Sequence, residues 1–558
     1  MTNSDTPLPI ARIAERLRLS EDDLEMYGRF AAKLSLHVAT RSQNVGKYIG
    51  VTAINPTPFG EGKTVVSIGL AMGLCRREKN AIVTLRQPSL APIFGIKGGG
   101  AGGGRSRVIP SEDINIHFTG DLHAVAAANN LLAAMLDNHV ARKLEPLLKA
   151  EDITWRRAID ISDKGLAHIC SGLNHIPMAP ERETGFDLTA ASEVMSILSL
   201  AADLGDLRRR LGRILVTSPH AQKLITAEDI GAAGAMAVLL RKAAQPNLVQ
   251  TIENTPALIH AGPFGNISHG NSSIIADQIA LKLADYVVTE SGFGSDLGAE
   301  KLFNMKCRLA GITPAAEVLV CKVRALKYHS GRFDVRPGRP LPLELLQSDL
   351  SSLAAGSANL IGHLANLRQY RVPIVVAINQ FPTDTEDELA LIEQIAKAAG
   401  AFRVARVNCF SQGGAGAIDL ADAVVDACNE PNCFASLYPL DISYAQKLSL
   451  IAERVYGADG VSFSSDTAAL LESFEQRGFA GLPVIIAKTQ YSLSNDPKRL
   501  GRPKNFTLPI QDVRLAAGAG FVLALTEGIS LMPGLPKTPA AIHMDLLADG
   551  TITGLKME

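Results

Sequence analysis

Residues 57–64 read TPFGEGKT, a glycine-bearing loop ending in Gly-Lys-Thr, with an apolar run at 48–54 before it and another at 65–74 after it. This stretch constrains the fold most, because a loop of this kind works only between a strand and the N-terminus of a helix. Converging backbone N–H groups at such a helix start can cradle phosphates, and small Gly60 and Gly62 let the backbone approach. Lys63 then reaches the outer phosphates as a point charge, and the Thr64 hydroxyl can fill one position on Mg²⁺ held with the nucleotide. Thr57, Pro58, Phe59, Gly60, Glu61, Gly62, Lys63 and Thr64 are therefore the candidate nucleotide-binding residues for ATP or GTP. Thr57 stands where the G-x-x-x-x-G-K-[ST] pattern has its first glycine, and a glycine turn that binds nothing is the simpler alternative.

Around this loop, short β-branched runs alternate with longer helical patterns, the signature of an α/β fold with a parallel sheet covered on both faces. The expected strands are 48–54, 81–86, 257–261, 286–289, 318–323, 373–379 and 403–409. Helical patterns dominate between 131 and 250, including 190–207 and 232–243. From about 440 a third segment mixes helices at 444–455 and 467–477 with strands at 482–487 and 521–525. With 558 residues, 47% hydrophobic and 20% charged, the chain can form about three domains. The expected division is a split core of residues 1–130 and 251–438, an inserted α+β domain at 131–250, and a C-terminal α+β domain at 439–558.

A net charge of −1 gives no bulk field for nucleic acid or an anionic membrane. The seven cysteines are scattered without a C-x-x-C pair, which fits reduced thiols in a cytoplasm. The N-terminus has no apolar signal core, and no run is long enough to span a bilayer. Residues 98–104 read GGGAGGG, six glycines in seven positions. Such a stretch cannot build a packed element, since glycine loses the most backbone entropy and buries no side chain. It follows an ordered strand, so a backbone lying against a ligand is preferred over a flexible linker.

TPFGEGKT, LRQPSLAPIFGIKGGGAGGG, EDINIHFTGDLHAV and VRALKYHSG together resemble formate-tetrahydrofolate ligase, also called formyltetrahydrofolate synthetase. The resemblance continues through NLVQTIENTPALIHAGPFGNISHG, LADYVVTESGFGSDLGAEKLF, VVAINQFPTDTEDEL and LPVIIAKTQYSLSNDPKRLGRPKNFTL, covering nearly the whole chain after about Phe30. It implies a P-loop NTPase-like parallel-sheet core with two smaller α+β domains, in a homotetramer. It also implies ATP-dependent ligation of formate to N10 of tetrahydrofolate, with Mg²⁺ and a monovalent cation as the expected ions. Formate is a poor acyl donor, so the carboxylate must first become formyl phosphate. Arg86, at a strand's carboxyl end, matches the family arginine that grips this intermediate, and a planar guanidinium suits both carboxylate and phosphate. Lys63 and Arg86 are thus the expected catalytic pair.

For the flat pterin ring, Phe381 matches a family phenylalanine and Phe410 sits where a tryptophan is usual; both offer stacking faces. Asn379 and Asp384 are expected to serve the purine or the loop geometry. His269, His117 and His123 are candidate polar contacts, with a capping or core role as the simpler reading because no spacing makes a metal site. The resemblance places Gly98 and Gly99 at the substrate. The chain departs from the family at Gln87, in place of glutamate, at Arg105, in place of tyrosine, and at Lys322, in place of a small residue; Asn271 and Ser272 replace Cys-Asn. The first three add one positive charge each, a shift that suits the tail of a polyglutamylated tetrahydrofolate or a different, more anionic acceptor. Two alternatives to the ligase stand: a paralogue passing an acyl phosphate to another reduced pterin or a more anionic acceptor, and a weakly catalytic nucleotide-binding regulatory subunit.

Overall fold

The structure, a computed structural model, describes residues 6–41, 45–94, 99–174, 176–219, 221–335 and 340–555. Its centre is a 12-stranded sheet. The strands Pro256–Ile259, Ala81–Leu85, Tyr286–Glu290, Lys47–Ala53, Pro314–Cys321, Ile374–Asn379 and Arg403–Val407 lie side by side in that order, and every neighbouring pair among them is parallel. Three of these seven strands, Pro256–Ile259, Ala81–Leu85 and Ile374–Asn379, are buried along their whole length because helices cover both faces, which explains their continuous apolar runs. All seven expected strands are present, with shifted ends. The last one stops at Val407, and Cys409 already begins the short helix Cys409–Gln412.

One side of the sheet is antiparallel. Asn247–Thr251 pairs with Pro256–Ile259 and Ala32–Leu34, and the latter with Leu24–Met26. Asn247–Thr251 carries no strand signal because buried Asn247 and Gln250 interrupt its apolar pattern. The tertiary structure gives their amide donors partners: Asn247 Nδ2 donates to Asp121 Oδ2 at 2.9 Å and to the Ile259 carbonyl at 3.0 Å, and Gln250 donates to the Leu8 carbonyl, while Gln250 Oε1 has no partner among the described residues.

The helix expected over 190–207 is two helices, Glu193–Leu200 and Leu204–Gly212. Each has its own N-cap, with Ser192 accepting from Met195 N and Asp203 from Asp206 N, so the break between them is stabilised locally. These helices pack with Asp121–Ala141, Ala233–Leu240 and one face of the strands Val484–Ala487 and Phe521–Leu525 in one apolar cluster. The other face of those strands packs on Tyr444–Ile451 and Ser465–Phe474. Among the described residues, no helix is long and apolar enough to cross a membrane.

Candidate active site at the carboxyl edge of the sheet

The loop 57–64 leaves the strand Lys47–Ala53 and enters the helix Lys63–Arg76. Gly60 (φ 67°) and Gly62 (φ 81°) are both left-handed, which bends the chain into the helix start. The first intrahelical bond is Val66 N to the Gly62 carbonyl at 2.9 Å, and the Gly60 N–H closes the turn before it on the Thr57 carbonyl at 3.1 Å, so the orphan N–H groups of the helix start lie between these two bonds. Thr57 in the first glycine position is accommodated: its N–H and hydroxyl donate to Glu61 Oε1 at 2.9 and 2.7 Å. Burial raises the Glu61 pKa, against the opposing pull of Lys322 and Lys63. The Lys63 ammonium has no hydrogen-bond partner among the described residues, and burial lowers its pKa while Glu61 and Glu290 hold it up.

Side chains from the neighbouring strand ends converge on this loop, as expected for the carboxyl edge of a parallel sheet. The Thr64 hydroxyl donates to Glu290 Oε2 at 2.8 Å. Because the hydroxyl hydrogen points at the carboxylate, the Thr64 oxygen keeps lone pairs for a hard cation, so hydroxyl and carboxylate together form a donor set suited to Mg²⁺. Sequence reading missed Glu290; its signal was an acid closing the apolar run YVVT. Arg86 follows the strand Ala81–Leu85 and donates through Nη1 to the Pro263 carbonyl at 3.1 Å. Burial lowers its pKa while Glu290 opposes the shift. Gly292 leaves it room, since a Cβ there would lie 3.1 Å from Arg86 Nη2.

Lys322 and Asn379 meet the loop from the other side, with the Phe381 ring beside Lys322 and Asp384 bonded to the Phe381 backbone. Lys322 is 3% exposed and donates to the carbonyls of Gly60 and, at 3.4 Å, of Phe59. Asn379 Nδ2 donates to the Glu61 carbonyl at 3.1 Å. Asp384 accepts from Phe381 N at 2.8 Å and so shapes its own turn. Arg324 covers one face of the Phe381 ring at 3.7 Å from the centroid.

The remaining candidates are more dispersed. Gln87 is buried, its N–H donating to the Ala261 carbonyl at 2.7 Å, and its Oε1 has no partner among the described residues. Gly98 lies outside the described residues; Gly99 packs against Asn115, whose Nδ2 would lie 2.7 Å from a Cβ there. Arg105 is exposed, and its N–H donates to the Phe410 carbonyl at 2.8 Å. Phe410 is 41% exposed and packs over Gly104. Gln87 thus sits at the Gly262 turn, the Arg105 backbone at the Phe410 turn and Lys322 on the 57–64 loop. His269 is fully buried with both ring nitrogens engaged, Nε2 with Ser199 Oγ at 2.9 Å and Nδ1 accepting from Asn271 N at 3.1 Å. Burial holds it neutral, far below the usual histidine range. Asn271 donates to Glu290 O and Ser291 Oγ, and Ser272 donates to the His260 carbonyl. His117 and His123 are exposed. Among the described residues no group of three or more His, Cys, Asp or Glu could hold a metal ion.

A buried polar network under the loop was also missed. Asn55, just after the strand Lys47–Ala53, is held by His363, His329 and Asn359 and donates to Asp296 Oδ1 at 3.2 Å and to the Gln490 carbonyl at 3.1 Å. Lys488 completes it, donating to Asp296 Oδ2 at 2.8 Å with both side chains fully buried. The C-terminal segment thus anchors the strand end from which the 57–64 loop springs. Buried charges persist only when paired and hydrogen-bonded, as here.

The family model described as "Formate--tetrahydrofolate ligase" matches residues 1–556 of the chain. The formate--tetrahydrofolate ligase of Roseiflexus castenholzii is 50% identical over 549 residues, spanning 98% of this chain and 97% of that protein. Those of Desulforamulus reducens (49% over 550 residues, 98% and 97%) and Aeromonas hydrophila (50% over 562 residues, 98% of each) are as similar. A family model and relatives about 50% identical, both matched over nearly the full length, agree: the chain belongs to the formate--tetrahydrofolate ligase family, a family of ligases.

Proposed function

We propose that this protein ligates formate to N10 of tetrahydrofolate at the expense of ATP, giving 10-formyltetrahydrofolate, ADP and phosphate. A formate oxygen attacks the γ-phosphorus of ATP and ADP leaves; the N10 amine then attacks the formyl carbon, phosphate leaves and the amine loses its proton. The observation that carries this reading is the Lys63 ammonium at the start of the helix Lys63–Arg76, without a hydrogen-bond partner among the described residues, with Arg86 and Glu290 close enough to act on its charge. Preorganised donors of this kind stabilise charge spread over a transferring phosphoryl group. Thr64, with Glu290 accepting a hydrogen bond from its hydroxyl, would hold Mg²⁺ beside the nucleotide, where the ion would neutralise phosphate charge. Arg86 binds formate and then formyl phosphate, while Phe381 and the exposed ring of Phe410 offer faces to the pterin.

The P-loop NTPase-like description of the core, the division at 131–250 and 439–558, the cytoplasmic homotetramer and a monovalent cation requirement belong to the same reading. Their support is the strand–loop–helix order around 57–64, the composition and the family. ADP release with formate and tetrahydrofolate each present or omitted tests the function, together with Arg86→Ser, expected to keep nucleotide binding and lose formate-dependent turnover. ADP formed from formate with no folate consumed would transfer the reading to a different acceptor.

A further inference from the structure

We propose that Lys322 is a positioning residue of the phosphate loop: its ammonium is a built-in cation that holds the Phe59 and Gly60 carbonyls and, by drawing the Gly60 carbonyl, turns the Glu61 N–H toward the nucleotide, while the Gly60 N–H closes the preceding turn on the Thr57 carbonyl at 3.1 Å. This deepens the reading above and rests on the loop taking the phosphates of ATP. In a trans peptide the C=O and the following N–H point in opposite directions. The Gly60 carbonyl, drawn to Lys322, shares its peptide with the Glu61 N–H, and the Glu61 carbonyl, drawn to Asn379 Nδ2 at 3.1 Å, shares its peptide with the Gly62 N–H. Two consecutive donors are thereby aimed away from the two side chains. The left-handed φ of Gly60 and Gly62 makes that arrangement accessible.

Lys322 is built for this task. It follows the strand Pro314–Cys321, next to the strand that launches the loop, and it opens the helix Val323–His329 without capping it through its side chain. Its ammonium lies 4.5 Å from the Phe59 ring centroid and 5.7 Å from that of Phe381. Aromatic faces and carbonyl oxygens together are a cation's surroundings. Burial lowers its pKa to about 8, opposed by Glu61, so holding the charge there is costly and a packing role alone would be served better by methionine. Direct contact with the acceptor substrate is the competing role. The two bonds to loop carbonyls favour positioning.

The test is Lys322→Ala, with nucleotide affinity measured by calorimetry in the absence of formate and folate, alongside steady-state kinetics. Loss of charge-assisted hydrogen bonds is expected to weaken ATP binding about 10- to 100-fold and raise the KM for ATP to match, leaving the KM values for formate and tetrahydrofolate within about twofold. Ammonium or methylammonium, added at constant ionic strength, is expected to restore ATP affinity in Lys322→Ala with no comparable gain in the wild type. A rise in the folate KM with ATP affinity unchanged would overturn the proposal in favour of substrate contact, and unchanged kinetics or no ammonium rescue would overturn it outright. If Lys322→Ala does not fold, Lys322→Met, which keeps the stem between the rings, is read for the same KM split. Because calorimetry needs no turnover, failure of the ligase reaction itself would leave this result interpretable.

Discussion

Alanine at Gly62 is expected to damage nucleotide binding more than alanine at Gly60, and the structure supplies the margin. Both glycines are left-handed, at φ 81° and 67°, a conformation that costs an L side chain about 1–2 kcal/mol. At Gly60 that is the whole penalty, since a Cβ there meets nothing within 4 Å. At Gly62 the Cβ would lie 2.4 Å from Asn379 Nδ2, so the amide must swing away and give up its bond to the Glu61 carbonyl. A lost hydrogen bond adds about 0.5–1.5 kcal/mol. Gly60→Ala should therefore weaken ATP binding roughly 5- to 30-fold and Gly62→Ala roughly 10- to 300-fold, at about 1.4 kcal/mol per decade. Calorimetric titration with ATP measures both, and a double-mutant cycle with Asn379→Ala isolates the clash. In the Gly62→Ala background, removing the Asn379 amide should cost less than it does in the wild type. Equal effects at the two glycines, or strict additivity with Asn379→Ala, would refute the reasoning.

Lys63→Ala should lower turnover ~10²- to 10³-fold, as for removal of one donor to a transition-state charge; thermal unfolding should not change, because the ammonium has no hydrogen-bond partner among the described residues. Near-wild-type turnover in that variant would remove this loop from the chemistry. Phe410→Ala, at a ring 41% exposed, should leave stability within about 0.5 kcal/mol and raise the folate KM a few-fold to about tenfold, which steady-state kinetics with varied folate reads directly. Acid lability should set in below the histidine range: His260, His329 and His363 are each lowered by burial to about 4, so the unfolded chain binds their protons first as pH falls. Their stabilisation is full above about pH 6.5 and is lost between about 6.5 and 4, at up to about 1.4 kcal/mol per pH unit for each. Denaturation midpoints across that window test it, and a flat profile from pH 7 to 5 would contradict the neutral, buried assignment.

The sequence by itself determined the order of the parallel strands along the chain and the place of the glycine-bearing loop between the strand Lys47–Ala53 and the helix Lys63–Arg76. These are local properties: an apolar run, a turn and a helical period are written in adjacent residues. It also pointed to the family and to Lys63 and Arg86 as the groups to test. What it could not display were partners brought together from distant parts of the chain. Glu290 meets Thr64 across 226 positions, Asn379 meets Glu61 across 318, and Asn55 meets the Gln490 carbonyl across 435. Lys322 reads in the sequence as one more positive charge near a substrate, and only the neighbouring strand's position turns it into a clamp on the loop. Asn247 and Gln250 hid a buried strand for the same reason, since a polar residue is tolerated inside when a partner from elsewhere satisfies it. Local pattern thus decided which elements form, whereas the pairing of buried polar groups, which depends on where the sheet brings strand ends together, was decided by the tertiary structure alone.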